Sequence, residues 1–106
     1  MRSDSIIYRG WHDGAVTVEG SPLPPRHDLV NHSPTGFAWG YGGSGPSQLA
    51  LALLAHFLED DREALAWYQA FKWRIVANLE KPQWKLYGSD VRGALEVLKE
   101  EARGGA

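Results

Sequence analysis

Cysteine is absent from the chain, so neither a disulfide framework nor a thiolate metal site can be built. That absence suits a reducing cytoplasm, which is the compartment we expect. Long apolar runs are missing too. The longest, Leu49 to Ala55, spans seven residues, far short of the ~20 that a membrane-crossing helix needs. The N-terminal Met-Arg-Ser-Asp-Ser-Ile-Ile-Tyr-Arg holds no stretch apolar enough for a signal peptide, and no membrane contact is expected. A basic excess is lacking as well: 11 Lys and Arg face 13 Asp and Glu, for a net charge of −2. Proteins that coat phosphate backbones normally carry such an excess, because neutralised phosphates drive that binding. A general nucleic-acid coat is therefore not expected, although a local patch is left open.

What the chain does have is aromatic weight. Five Trp, four Tyr and three Phe are spread over 106 residues. Each buried aromatic removes about 150–250 Å² from water, so one domain of this length can be stable on packing alone. We expect a single domain over residues 1–106, with a core at 5–103 and short frayed termini.

Ile6-Ile7-Tyr8 and the alternating Ala15-Val16-Thr17-Val18-Glu19 flank an Asp13-Gly14 turn signal, which predicts a hairpin over residues 5–19. Four prolines between Gly20 and Pro34 deny backbone donors and predict a surface excursion, anchored by Leu23, Leu29 and Val30. Gly36-Phe37-Ala38-Trp39 is a short extended candidate. It leads into Gly40-Tyr41-Gly42-Gly43-Ser44-Gly45-Pro46.

A helix follows, with Pro46 in its first turn and Ser44 or Gly45 as its cap. Leu49 to Ala55, with Phe57 and Leu58, cover nearly its whole circumference, which predicts a buried central helix ending at Glu59-Asp60-Asp61. A second helix is predicted from Asp61 to Asn78, with Ala64, Tyr68, Phe71, Ile75 and Leu79 on its stripe and Trp73 roughly opposite. Gln83 to Tyr87 alternates as a third short strand. Ser89 caps a last helix striped by Val91, Leu95, Leu98 and Ala102. Strands first and helices later predict an α+β fold: a small antiparallel sheet, made of the hairpin plus the short strand, packed by three helices.

The glycine-rich turn invites functional readings, and the specific ones fail. Gly40, Gly42 and Gly45 match G-x-G-x-x-G, but the element expected after the helix is another helix rather than the strand of a dinucleotide-binding unit. At phosphate-loop spacing Pro46 stands where the lysine belongs. Around Ser44, Gly42 and Pro46 spoil the serine-hydrolase elbow. What remains is a helix start whose N–H groups could meet an anion. The residues for such a site are Tyr41, Gly42, Gly43, Ser44, Gly45 and Ser47, helped by Lys72 or Arg74. The simpler reading has the glycines turning the backbone sharply against Phe37, Trp39 and Tyr41.

Four histidines, His12, His27, His32 and His56, show no metal-ligand spacing, so neither metal nor cofactor is implied. His56 is expected as a hydrogen-bonded, partly buried side chain. Lys72, Trp73, Arg74, Lys81, Trp84, Lys85 and Arg92 form a basic and aromatic set, but Asp90, Glu96, Glu100 and Glu101 oppose its field. Solvated helix faces are the expectation there, with Trp73 packed on the hairpin or the buried helix.

The segment Gly36-Phe37-Ala38-Trp39-Gly40-Tyr41-Gly42-Gly43-Ser44-Gly45-Pro46-Ser47-Gln48-Leu49-Ala50-Leu51-Ala52 resembles a small family of uncharacterised bacterial, archaeal, plasmid and phage proteins. Tyr68 to Trp73 and Trp84-Lys85-Leu86 add to the likeness, which covers roughly residues 6 to 98. The resemblance implies a domain of unknown function and carries no catalytic residue. It is associated with a mobile-element or host-defence setting. Two functions are carried forward. The first is a non-enzymatic interaction module with a protein partner or a second copy of itself, engaged through Trp11 and Trp73. The alternative is a binder of a phosphate-bearing ligand or nucleic acid at the glycine turn. No constellation of residues supports an enzyme.

Overall fold

The computed structural model describes residues 2–104; the fraying expected at Gly105 lies outside them. Strands β1 (Ile7–Gly10) and β2 (Val16–Val18) form the expected hairpin, with Arg9 opposite Thr17. The Asp13-Gly14 signal closes it: Gly14 takes φ +92° and Asp13 Oδ1 accepts the Ala15 N–H at 3.0 Å. Ser21–Pro22 then adds a two-residue strand, β3, beside β2. This corrects the expectation that residues 20–34 simply wander over the surface. Pro22 is tolerated because β3 is an edge strand. Strand β4 (Trp84–Tyr87) pairs with β1, giving an antiparallel sheet in the order β3-β2-β1-β4.

Helix α1 (Ser44–Leu58) lies at the centre, and every residue from Gly45 to Ala55 is buried. Leu49, Leu51, Leu53 and Leu54 are fully shielded, each worth about 1.5–3 kcal/mol over an exposed position. The cap is Gly43 rather than Ser44 or Gly45. The ladder already begins with the Ser47 N–H donating to the Gly43 carbonyl at 2.9 Å, so Ser44 and Gly45 fall inside the first turn.

Helix α2 (Asp61–Arg74) packs along α1 and is capped by Asp60, which accepts the Glu63 N–H at 3.1 Å. It stops four residues short of the expected Asn78. The Asn78 amide donates to the carbonyls of Trp73 and Arg74, and a 3-10 turn over Val76–Asn78 swings Val76 fully into the core. Helix α3 (Gly88–Arg103) starts one residue before Ser89, with Tyr87 as its cap and Asp90 accepting the Tyr87 N–H at 2.8 Å. Gly88 sits so close to the Ser3 carbonyl that a Cβ would lie 1.8 Å from that oxygen, which pins the turn there. The Val91, Leu95 and Leu98 positions of the predicted stripe are buried, while Ala102 is exposed. Phe37 to Trp39 finds no strand partner and runs as loop.

Tyr8, Val16, Val18, Trp84 and Leu86 turn one face of the sheet into the core shared with α1. The proline-rich excursion is held to α1 by Gln48, which is fully buried. Its Oε1 accepts the N–H groups of His32 and Ser33, and its Nε2 donates to the carbonyls of Pro25 and Val30. Leu23 is buried and Leu29 and Val30 are half-buried, so the expected anchors hold as well. Among the described residues no helix is long and apolar enough to cross a membrane.

Candidate functional site

The glycine turn is built by close approach more than by left-handed backbone. Gly40 has φ +83°, but Gly42, Gly43 and Gly45 do not have positive φ. Instead the Trp73 ring lies on Gly42, where a Cβ would be 2.1 Å from its edge, and the Tyr41 ring lies on Gly43. Gly45 presses on Ala38 and is buried, as is Ser47. Pro46 has no N–H, so the first turn of α1 offers only those of Ser44 and Gly45. Two rings therefore lie against the Cα faces of Gly42 and Gly43, while Gly42 and Ser44 remain exposed.

The two helping cations are also accounted for. Arg74 reaches Glu101 on α3 at 3.3 Å, and Lys72 is buried with its ammonium 4.5 Å from the Trp73 ring centroid. The structure thus joins Tyr41, Gly42, Gly43, Lys72 and Trp73 in one packed cluster and leaves Arg74 outside it. Trp73 sits on the glycine turn rather than on the hairpin or the buried helix, and is 60% exposed.

Beside this cluster opens a cleft of about 310 Å³. Three separate segments wall it: the hairpin turn through His12 and Gly14, the loop from Phe37 to Tyr41, and Lys81-Pro82. Trp39 is buried and braced edge-to-face on Trp84 at 5.7 Å, forming a rigid wall. Tyr41 is half exposed and carries the Lys81 ammonium 5.2 Å from its ring centroid. Gly40 ties the loop down by donating its N–H to the Val76 carbonyl at 3.0 Å, and its missing Cβ leaves room for the Lys81 stem. The result is a shallow, open and largely aromatic depression, with one cation and one imidazole at its walls.

Of the residues assigned in sequence to the glycine-turn site, only Tyr41 lines this cleft; Lys81, from the basic and aromatic set, and His12 line it too, and Trp11 adjoins it through His12. Phe37, Trp39 and Pro82 were missed as site residues. The alternation Phe37-x-Trp39-x-Tyr41 was the signal available for the loop wall.

The other histidines have partners. His56 Nδ1 shares a 2.8 Å hydrogen bond with the buried Tyr8 hydroxyl, as the sequence led us to expect of a partly buried side chain. Burial, with a smaller contribution from Glu19, pushes the Tyr8 phenol above its ordinary range. His32 bonds the Tyr68 hydroxyl and His27 the Ser33 carbonyl. Among the described residues no group of three or more His, Cys, Asp or Glu could hold a metal ion.

Most of the described cations pair with a carboxylate or lie over a ring, and Arg92 and Lys99 do both, over Phe57 and Trp67. Arg26, Arg74, Arg92, Lys99 and Arg103 each pair with a carboxylate. Hydrogen bonds from Arg26 hold Asp28 and Asp61 below the ordinary carboxylate range, and Arg92 does the same for Asp4. Arg9, Lys72, Lys81 and Lys85 have no such pair among the described residues and lie instead over Trp11, Trp73, Tyr41 and Tyr87.

A family model described as a family of unknown function (DUF6166) matches residues 8–97. No curated protein and no solved structure matches the chain.

Proposed function

Since the chain belongs to DUF6166, a family of unknown function, we propose from its geometry that it is a non-enzymatic interaction module, which captures a protein partner by taking an aromatic or apolar side chain of that partner into the cleft. The observation that carries this reading is the cleft itself: a shallow, aromatic-walled depression of about 310 Å³, backed by the edge-to-face contact of Trp39 on Trp84. Its volume is at the lower end of the ~300–1,000 Å³ of small-molecule pockets, which suits one ring rather than a cofactor. Trp73 and Trp11, at 60% and 39% exposure, stand outside it as the large apolar surfaces that interface centres favour. A mobile-element or host-defence setting would suit a small recognition domain of this kind.

Side-chain surrogates test the proposal. Titration of indole or p-cresol into the isotope-labelled protein should shift the resonances of Phe37, Ala38 and Tyr41 saturably, and Tyr41→Ala should weaken that binding severalfold. Shifts scattered over the surface, or none at those residues, would remove the cleft as a recognition site.

A further inference from the structure

The face of the sheet turned away from the core is uncovered, and its residues are unusual for a solvated strand surface. The burial alternation of β1, β2 and β4 puts Arg9, Thr17, Lys85 and Tyr87 outward, with Ile7 half-buried among them. Arg9 and Lys85 are direct cross-strand partners. Like charges in that position repel and weaken a sheet, yet no carboxylate within ion-pair distance relieves either one among the described residues.

Two exposed rings flank the cations. Trp11, 39% exposed, has the Arg9 guanidinium 5.8 Å from its ring centroid, and Tyr87, 40% exposed, has the Lys85 ammonium at the same distance. Trp11 is also fixed in place, because its Nε1 donates to Thr17 Oγ1 at 3.0 Å. Two hollows lie against Trp11: one of about 250 Å³ reaching Gln83 and Lys85, another of about 420 Å³ reaching Thr17 and Glu19.

We infer that this outer sheet face binds single-stranded nucleic acid, with bases stacked on Trp11 and Tyr87 and phosphates taken by Arg9 and Lys85. The occupant follows from complementarity: adjacent unpaired cations ask for a polyanion, and pre-positioned ring faces beside them ask for one with exposed bases. Duplex buries its base faces and cannot use the rings. Glu19 borders the strip and accepts the Ile7 N–H at 3.3 Å, so its charge opposes the ligand at the β2 side and directs the strand toward Lys85. Glu80, near Lys85, bounds it at the other side. The inference uses none of the cleft residues; it shares Trp11 with the proposed partner surface but not the cleft that carries that reading.

The experiment is fluorescence anisotropy of the full chain with end-labelled oligothymidylate and oligouridylate of about ten nucleotides, at about 50 mM salt. Saturable binding is expected, at least about tenfold tighter than to a duplex of the same length, because only single strands offer base faces. The slope of log affinity against log salt should be near −1.4, as for about two phosphates released on a single strand. Trp11→Ala should weaken binding by about five- to a hundredfold, Trp11→Phe should retain most of it, and Arg9→Ala with Lys85→Ala should flatten the salt slope. Glu19→Gln should tighten binding, and Arg103→Ala, outside the strip, should leave it unchanged. No saturable binding, equal binding to duplex or heparin, or full affinity in Trp11→Ala with circular dichroism like the parent would each overturn the inference. Such a failure leaves the cleft titration with indole unaffected, so the two readings fall separately.

Discussion

The two faces of the sheet are made by the same strands and obey opposite rules. Inward, Tyr8, Val16, Val18, Trp84 and Leu86 are all under a tenth exposed and fit closely enough that Gly10 has no room for a methyl group. Outward, the alternate positions carry like charges side by side and exposed rings. The inner face is built by burial, at the cost of a Trp84 Nε1 left without a hydrogen-bond partner, whereas the outer one is held only by the Trp11–Thr17 hydrogen bond and two cation–ring contacts. Arg9 and Lys85 on the sheet and Lys81 at the cleft lie over rings without a carboxylate partner among the described residues, as does Lys72 on α2. Two like charges set side by side on an open sheet face are better explained by what they meet than by what they support.

The comparison breaks most sharply at Gly10. A Cβ there would sit 2.1 Å from Trp84 Nε1, so Gly10→Ala must displace a ring that also braces Trp39. We expect a loss of about 3 kcal/mol, at the upper end of overpacking effects, seen as a denaturant midpoint shift at unchanged slope. Next comes Gln48→Ala, which strands two N–H donors and two carbonyls of the proline-rich segment. A loss of about 2–3 kcal/mol is expected, and hydrogen exchange at the His32 and Ser33 amides should accelerate beyond the change in global stability.

How much of this was legible follows from where each contact lies in the chain. Helix α1 could be read because its residues are apolar on every side, and the hairpin because Asp13-Gly14 makes its turn locally. The single Gln48 within that apolar helix carried no signal of its own, since its four partners lie 15–23 residues away in a segment without periodicity. The early end of α2 depends on an Asn78 side chain competing for carbonyls, a local event but one that propensity does not reveal. Trp73 was read correctly as facing away from its helix stripe, yet its seat on Gly42 is thirty-one residues distant. The cleft is least legible of all, because its walls come from residues 12–14, 37–41 and 81–82 and meet only in the folded domain. The outer face was half visible: the alternation in β4 was clear, but nothing in the chain set Lys85 opposite Arg9 until β1 and β4 paired.

The smallest expected effect bears most directly on the central claim that the outer face serves binding rather than folding. Equilibrium urea unfolding of the double variant Arg9→Ala, Lys85→Ala should give a stability equal to the parent or a few tenths of a kcal/mol higher, as repulsion across the strand pair is removed. A loss of more than about 1 kcal/mol would contradict the account, because it would show that these two cations hold the sheet together.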